Sequence, residues 1–400
     1  MTPTGKKKPD ILCISTTDWY EIWGSRQQVM LQFVQAGYRV LFVERQVGPE
    51  HLWRNPDMRR RKLNVWRNPR LNLVQPNLWR WQPPLMPPGR YYSLALNQVG
   101  QRWLTENIKT ILRKLDFNVS ILWMYPPHSA PLLGQFGEKL AIYHCIERFA
   151  GEQTGRKRQV MLAQEESLLR NVDQVFVHSD GLRQLYSSLT QRPIVLTPSA
   201  ANVAHYQSTD QIHPAMSVVP QPRLVVMGTM DERIDWSLLL SLAHQKPDWH
   251  LVLIGQIRSV PTDFVSLREL PNVHYLGKHP FDDLPLLLNG ADVTLIPYKM
   301  NEMTRFISPL KAYEYLAVGK PIVSVDMPEM RALTQWCQIV LFSGQDTCVL
   351  TRDIIRAIAH ALETDSPEKR AARRKAALQH TWRARTGRMQ AIIETLLGCS

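Results

Sequence analysis

The chain has 400 residues, of which 44% are hydrophobic, enough to form the cores of two or three globular domains. No run approaches the roughly 18 to 20 consecutive apolar residues that a membrane-spanning helix needs, and the first residues lead into a strand without the apolar region of a signal peptide. We therefore expect a globular protein of the cytoplasm.

Charge and cysteine content narrow the function classes further. Lysine and arginine total 48 against 35 acidic residues, so the net charge is +13 and the partner is expected to be acidic: nucleic acid, an anionic membrane face or nucleotide phosphates. The 5 cysteines are an odd number without metal-ligand spacing, which predicts reduced thiols and no metal cofactor.

The first part of the chain alternates strands and helices. Residues 11–15 predict a buried strand, residues 26–35 a helix and residues 38–44 a second strand, which together form a βαβ unit. Trp19 and Arg26 follow the first strand, and α/β folds bind ligands at the carboxyl ends of parallel strands. Arg26 is therefore a candidate for a ligand cleft, and the alternative is a helix-start arginine in solvent.

Residues 51–92 differ in composition from the rest of this half. Basic residues alternate there with tryptophans, and acids are few; the set comprises Arg54, Arg59, Arg60, Arg61, Lys62, Arg67, Arg70, Arg80 and Arg90, with Trp53, Trp66, Trp79 and Trp81. This mixture is typical of an interfacial membrane patch, with indoles at headgroup level and cations on anionic lipid. Binding of single-stranded nucleic acid and an ordinary crossover with solvated arginines are the alternatives.

Titratable residues follow two further strands. A helix predicted over 97–115 is followed by a strand and His128, and the strand LAIYH ends at His144, shortly before Glu147. A carboxylate or imidazole at such a strand end can take the proton from an attacking hydroxyl. The alternatives are packed histidines and a glutamate paired with a neighbouring arginine.

The alternation restarts after residue 200. A turn of small residues at 199–202 ends the first half, and residues 203–222 have the composition of a linker. The second half opens with a strand that ends at Gly228, where the missing Cβ lets a phosphate or sugar approach the backbone closely.

The segment 307–323 has the sequence ISPLKAYEYLAVGKPIV. Ser308 and Pro309 predict a helix start, apolar residues then recur at three- and four-residue spacing, and a glycine and a strand follow. The first amides of the helix and Lys311 form an anion site suited to phosphate, and Glu314 can accept hydrogen bonds from a ribose diol. The alternative is a capped surface helix whose lysine and glutamate are a solvated pair.

Arg305 lies in the loop before this segment. A guanidinium there can hold a diphosphate through two parallel hydrogen bonds, although a solvated loop arginine is an equally ordinary interpretation.

The run SPLKAYEYLAVGKPIV resembles the donor-binding signature of the GT-B glycosyltransferases of group 1, especially the bacterial branch that assembles exopolysaccharides and cell-wall polymers. The resemblance implies a donor diphosphate on Ser308, Pro309, Leu310 and Lys311, and a ribose on Glu314. Many retaining members carry a glutamate at the position of Phe306, so retention of configuration is not implied.

The resemblance extends to the strand end at Gly228. Group 1 enzymes often have an arginine and a lysine after this glycine; here Thr229 takes the first place and Arg233 is the remaining cation for the diphosphate.

The resemblance also implies an α/β fold of two Rossmann-like domains facing across a cleft. The expected boundaries are an N-terminal acceptor domain at 1–202, a linker at 203–222, a C-terminal nucleotide-sugar donor domain at 223–380 and a helix at 381–400 that crosses back to the first domain.

The implied activity is transfer of a sugar from a nucleoside diphosphate to a hydroxyl of a saccharide or lipid-linked acceptor, without a metal or other cofactor, at the inner face of the membrane. Glu147 is the candidate base, with His128 and His144 as alternatives, and Trp19 and Arg26 are candidates for the acceptor side. A non-catalytic nucleotide- or membrane-binding relative and a basic nucleic-acid-binding protein are the competing hypotheses. The transferase interpretation expects no nucleic acid partner.

Overall fold

The computed structural model describes residues 8–21, 23–54, 59, 70–151, 153–258, 260–340 and 346–398. The chain divides into two compact units: Met1–Pro198 with Arg385–Ser400 form the first, and Ser199–Ala384 form the second. Residues 203–222, expected as a linker, therefore lie within the second unit. Most of the expected C-terminal helix belongs to the first.

The first unit contains a mostly parallel sheet. Its strands are β1 (Asp10–Ile14), β2 (Arg39–Val43), β3 (Leu71–Gln75), β4 (Leu78–Trp81), β5 (Val119–Met124), β6 (Leu140–Cys145), β7 (Gln174–Val177) and β8 (Ile194–Leu196). Among the described residues they take the order β3-β4-β2-β1-β5-β6-β7-β8, and β3 is antiparallel to β4. The order reverses between β1 and β5, and open α/β sheets bind ligands outside the carboxyl ends at such a reversal.

Helices connect these strands. They are α1 (Ser25–Gln35), α2 (Pro49–Arg54), α3 (Leu94–Lys114), α4 (Gly155–Asn171) and α5 (Asp180–Ser187), with a 3₁₀ turn at Pro127–Leu132. Strands β1 and β6 are buried along their whole length. Their continuous apolar character is what a parallel strand covered on both faces requires, which is why the sequence predicts them well.

The second unit is a parallel sheet in its described residues. Its strands are β9 (Arg223–Met227), β10 (His250–Ile254), β11 (Val273–Gly277), β12 (Val293–Ile296), β13 (Ile322–Val325) and β14 (Cys337–Val340). Their order is β11-β10-β9-β12-β13-β14. This is the doubly wound order of dinucleotide-binding folds, and it reverses between β9 and β12.

The helices of the second unit lie before, between and after these strands. They are α6 (Val203–Tyr206), α7 (Pro214–Ser217), α8 (Trp236–Gln245), α9 (Thr262–Arg268), α10 (Leu284–Asn289), α11 (Leu310–Val318), α12 (Thr347–Thr364) and α13 (Pro367–Ala377). The 3₁₀ turns are Phe281–Asp283, Thr304–Phe306 and Pro328–Leu333, and α14 (Trp382–Leu396) returns the chain to the first unit. No helix in the described residues is long and apolar enough to cross a membrane.

The structure corrects part of the predicted membrane patch. Trp81 and Arg90 are buried, and Arg80 donates a hydrogen bond of 3.2 Å to the buried carboxylate of Glu44. Arg80 and Trp81 lie on β4, which forms a hairpin with β3 at the edge of the sheet, and Arg90 donates a hydrogen bond of 2.6 Å to the carbonyl of Gln46. Trp53 is 85% exposed.

Five residues of that patch are not covered by the structure. Arg60, Arg61, Lys62, Trp66 and Arg67 lie outside the described residues.

Candidate functional site

In the second unit, the start of α11 contacts the chain where β9 ends. Gly228, the residue after β9, has a φ of +137°, a conformation that residues with a Cβ rarely adopt. A Cβ on Gly228 would lie 3.1 Å from Cε of Lys311 in the first turn of α11. The structure therefore brings these two predicted residues together at the reversal of strand order, where doubly wound sheets bind nucleotides.

Ser308 has a different role from the expected one. The N-cap of α11 is Pro309, which contributes no side-chain hydrogen bond to the helix. The hydroxyl of Ser308 accepts a hydrogen bond from the amide of Ser199 (3.1 Å), and the hydroxyl of Ser199 donates to the carbonyl of Ser308 (2.9 Å). The prediction that Ser308 caps the helix is wrong, because its hydroxyl joins two segments of the second unit. The amides of Leu310 and Lys311 lie in the first turn of α11, where the helix supplies no acceptor for the N–H groups, and they suit an anion.

Lys311 and Glu314 form an ion pair. Nζ of Lys311 lies 2.6 Å from Oε2 of Glu314, and the glutamate side chain is buried. Burial and the neighbouring Glu314 raise the pKa of Tyr206 well above its usual value, which places this phenol beside the same carboxylate. The alternative of a solvated surface pair is wrong, since a buried carboxylate needs charged and hydrogen-bonding partners to hold it.

The two arginines predicted for the diphosphate lie in different surroundings. Nε and Nη2 of Arg233 donate to the two carboxylate oxygens of Asp231, at 2.8 and 2.6 Å. Arg305 is exposed, and its guanidinium lies 5.4 Å from the ring centroid of Phe306. A phosphate bound here would contact Arg233 as one member of its ion pair with Asp231. It would contact Arg305 as an exposed side chain.

In the first unit, Arg26 and Glu147 meet at the carboxyl edge of the sheet. Nη2 of Arg26 lies 3.0 Å from Oε1 of Glu147, with 12% of the arginine side chain and 41% of the glutamate side chain exposed. The guanidinium of Arg26 also lies over the ring of Tyr125, 5.8 Å from the ring centroid. Tyr125 directly follows β5. Burial lowers the pKa of Arg26, and the charge of Glu147 opposes this effect. A nearly buried cation therefore holds a solvent-accessible carboxylate.

The two candidate histidines lie against aromatic rings. His144 is buried and stacks on Tyr125 with ring centroids 5.0 Å apart, and neither of its ring nitrogens has a hydrogen-bond partner among the described residues. His128 is half-buried with its Nε2 enclosed. Burial lowers the pKa of both imidazoles well below the usual value. Glu147, with 41% of its side chain exposed, is open to a substrate from solvent.

Trp19, predicted for the acceptor side, packs within the first unit. Its ring makes edge contacts with Trp23 at 5.5 Å and Phe42 at 4.9 Å, and its amide donates to Glu44. The side chain is buried, so in this structure it supports the loop between β1 and α1.

Two polar residues at the carboxyl edge of the first sheet, His178 and Tyr125, were not predicted from the sequence. His178, directly after β7, lies 5.0 Å from His144 between ring centroids, and burial, Arg26 and Arg385 lower its pKa to about 3. Tyr125 was missed in the same way. Both residues directly follow strands, so the strand-end rule that selected His144 could have selected them too.

The fold of the chain is shared with solved structures. Sucrose-phosphate synthase from Thermosynechococcus elongatus aligns over 98% of this chain and 100% of its own, with 18% identity and a TM-score of 0.71. WaaG, a glycosyltransferase involved in lipopolysaccharide biosynthesis, aligns over 96% and 99%, with 12% identity and a TM-score of 0.64. Together with the two parallel sheets, these likenesses define a protein of the GT-B fold and confirm the expected fold class.

The sequence of the second unit is similar to one family of transferases. Residues 221–364 match the model of the family described as Glycosyl transferases group 1, and the signature at 307–323 lies inside this match. A Bacillus subtilis (strain 168) protein named for teichuronic acid biosynthesis, the glycosyltransferase TuaH, is 25% identical over 220 residues, which are 52% of this chain and 55% of that protein. The chain thus spans about half the length of this relative. Its second unit is similar to the group 1 glycosyltransferases, the family that the segment 307–323 resembles.

Proposed function

We propose that this protein transfers a sugar from a nucleoside-diphosphate donor to a hydroxyl of a saccharide or lipid-linked acceptor in polysaccharide assembly. The observation that carries the proposal is the placement of Lys311, in the first turn of α11, against Gly228 and beside a buried Glu314. The family match of the second unit supports the reaction class, and the relative named for teichuronic acid biosynthesis supports a cell-wall saccharide as acceptor.

In the donor half of the reaction, the diphosphate leaves with increased negative charge as the glycosidic bond breaks. The first amides of α11 and the ammonium of Lys311 would stabilise that charge more in the transition state than in the ground state. The carboxylate of Glu314 would accept hydrogen bonds from the ribose hydroxyls. These protein charges make the proposed step metal-independent.

In the acceptor half, the attacking hydroxyl oxygen bonds to the anomeric carbon and its proton must leave. Glu147 is the proposed acceptor of that proton, because its carboxylate is accessible and Arg26 fixes its orientation through a 3.0 Å ion pair. His128 and His144 are held among aromatic rings and are weaker candidates.

Nucleotide binding is the first test. Nucleoside diphosphates and their sugars are titrated into the protein by calorimetry, and into Glu314→Ala with Glu363→Ala as the control, a carboxylate exposed on α12 of the same unit. We expect Glu314→Ala to weaken binding by about tenfold or more, equivalent to about 1.4 kcal/mol, and Glu363→Ala to bind normally. Normal affinity in Glu314→Ala would remove the ribose assignment.

Catalysis is tested separately from binding. Glu147→Gln is expected to bind the donor normally and to lose transfer, because the amide cannot accept the proton. Nucleotide binding by the native protein without transfer or donor hydrolysis would favour a non-catalytic relative. Salt-sensitive binding of oligonucleotides without donor binding would favour the nucleic-acid hypothesis.

We also propose that α3 carries the membrane-facing surface. Leu96, Val99 and Trp103 recur at three- and four-residue spacing, so they share one helix face, and all three are exposed, Val99 by 58%. Arg156 donates a 2.7 Å hydrogen bond to the carbonyl of Tyr92 just before the helix, which places a cation at the edge of this apolar face. Apolar side chains beside cations suit an anionic lipid surface, where a lipid-linked acceptor would lie.

Sedimentation with phosphatidylglycerol vesicles tests this surface. The double variant Val99→Asp, Trp103→Asp is expected to lose most of the bound fraction, because both side chains would carry charge into the headgroup region. Val260→Asp is the control, since Val260 is similarly exposed but lies in the second unit. Unchanged sedimentation of the double variant would contradict the assignment to α3.

A further inference from the structure

Two histidines and an aspartate converge in the second unit, outside the donor site. His213, His279 and Asp283 each offer a ligand atom within 4.8 Å of the other two. The rings of His213 and His279 are 5.2 Å apart and nearly perpendicular, and Nδ1 of His279 lies 3.8 Å from Oδ2 of Asp283. All three side chains are half-buried, so an ion from solvent can reach them.

The hydrogen bonding of His279 prepares one of its nitrogens for a metal. Nε2 lies 3.2 Å from the carbonyl of Leu276, so this nitrogen carries the proton and donates it. The lone pair then lies on Nδ1, on the side of Asp283. Histidines that bind metals are typically oriented in this way, by donating their other N–H to a carbonyl or carboxylate.

His213 has a competing interaction that a metal would replace. Its Nδ1 accepts a 3.1 Å hydrogen bond from the amide of Ala215. An imidazole that binds a metal through one nitrogen carries its proton on the other nitrogen. Metal binding by His213 would therefore remove the hydrogen bond that its Nδ1 accepts from Ala215. The lost bond caps the four-residue helix α7 and no larger element.

The backbone holds both sides of the cluster in place. The amide of His213 donates to the carbonyl of Leu286 in α10, the helix that follows the aspartate (3.1 Å). Asn289 at the end of α10 donates to the carbonyls of Thr209 (2.8 Å) and Gln211 (3.1 Å). The three ligands therefore meet before any ion binds, and the chain loses little freedom when one does.

The geometry points to a binding site for a divalent transition metal, with Zn²⁺ as the ion that best suits two imidazoles and one carboxylate. Zinc ligands lie about 2.0–2.2 Å from the ion, which puts tetrahedral ligand atoms roughly 3.3–3.5 Å apart. Side-chain movements of about 1 Å would close the cluster to that spacing. Water takes the fourth position, and the ion fastens the segment around His213 to the turn between β11 and α10. This role is independent of the proposed sugar transfer.

Metal titration of the tag-free, full-length protein, first stripped with a chelator, tests the site. Zn²⁺ is titrated by calorimetry and by thermal unfolding, and Co²⁺ reports the ligand geometry by absorption. We expect one ion per chain and a raised Tm. His279→Ala and the conservative Asp283→Asn are expected to weaken Zn²⁺ binding by about tenfold or more.

Two matched variants separate this site from other histidines. His360→Ala removes an exposed imidazole on α12, and His250→Ala breaks the other histidine pair of the unit, in which Nδ1 of His250 lies 3.0 Å from Nε2 of His274. Both are expected to bind Zn²⁺ as the native protein does. Absence of stoichiometric binding, equal affinity in Asp283→Asn, or a loss confined to His250→Ala would overturn the proposal.

Discussion

Two features of the structure favour glycine at position 228: its backbone conformation and its close approach to Lys311. Its φ of +137° strains any residue with a Cβ, and that Cβ would lie 3.1 Å from Cε of Lys311. We predict that Gly228→Ala lowers the free energy of unfolding by about 1–3 kcal/mol and weakens nucleoside-diphosphate binding. Chemical denaturation and calorimetry measure the two effects.

Gly277 in the same unit is the matched control for this prediction. It also has a positive φ, +73°, but no heavy atom lies within 4 Å of a Cβ built there. Gly277→Ala should therefore cost stability through backbone strain alone and leave nucleotide affinity unchanged. If both variants bind nucleotide normally, the contact of Gly228 with Lys311 does not matter to the donor site.

Residue roles were predictable where the partners are close in sequence. Lys311 and Glu314 are one helical turn apart, so spacing alone brings them together, and the structure pairs them at 2.6 Å. The hydrogen bonds of Ser308 with Ser199 were not predictable, because the partner belongs to a distant segment that only the folded unit brings near. Cap patterns consider local neighbours, and here a tertiary partner competes for the same hydroxyl.

A buried network joins the end of β6 to α4. Oε1 of Glu165 accepts from the hydroxyls of Tyr143 (2.9 Å) and Tyr186 (2.6 Å), and Oε2 pairs with the largely buried Arg148, the residue after Glu147. The network therefore fixes the loop that presents the candidate base.

Removal of Glu165 should destabilise the first unit strongly. Glu165→Ala leaves Arg148 without this carboxylate and two tyrosine hydroxyls without their acceptor, so we predict a loss of about 3–5 kcal/mol in urea unfolding. Glu166→Ala removes the neighbouring carboxylate, which pairs with Arg170 on the exposed face of α4, and should cost no more than about 0.5 kcal/mol. Similar losses in the two variants would contradict the role given to the network.

Secondary-structure elements were predictable from the sequence where one physical cause, such as burial on both faces of a sheet, sets the hydrophobic pattern. The central strands are continuously apolar and were found, whereas β3 and β4 were interpreted as part of a basic aromatic patch. The buried positions of β4 are Leu78 and Trp81, with Trp79 and Arg80 half-buried between them, so this strand lacks the period-two pattern by which a half-buried strand is predicted. The burial of Trp81 and the pairing of Arg80 with Glu44 depend on β2, which pairs with β4 in the sheet. They could therefore not be predicted from the segment alone.

Acid should destabilise the first unit through its buried histidines. Burial lowers the pKa of His144 well below its usual value and that of His178 to about 3. The unfolded chain protonates near a pKa of about 6.5, so it binds protons that the native state does not as pH falls from about 6.5 toward 3. His178 alone should remove about 2 kcal/mol of stability between pH 7 and 5.

Urea unfolding at pH 7, 6 and 5 measures this loss. His178→Gln should flatten the dependence of unfolding free energy on pH, because the amide does not titrate in this range. His244→Gln, at an exposed position on α8, should leave the dependence as it is. An unchanged slope in His178→Gln would show that this imidazole is not the source.

At the scale of the whole molecule, the sequence predicted two α/β units because strand and helix patterns repeat on both sides of residue 200. It did not predict the meeting of His213 with His279, because one follows α6 and the other follows β11, and only the position of α10 joins them. Local pattern determines the elements, and packing between distant elements determines which side chains share a site.

The first unit contains α14 from Arg385 onward, a segment that follows the whole second unit in the chain. Glu394 of α14 pairs with Lys8 and accepts a 3.1 Å hydrogen bond from the hydroxyl of Tyr38, so this helix packs on the opening βαβ segment. During translation, residues 199–384 leave the ribosome before this segment of α14 does. The unit that is synthesised first is therefore completed last. Until the second unit has been synthesised, the surface of the opening βαβ segment that α14 covers remains exposed.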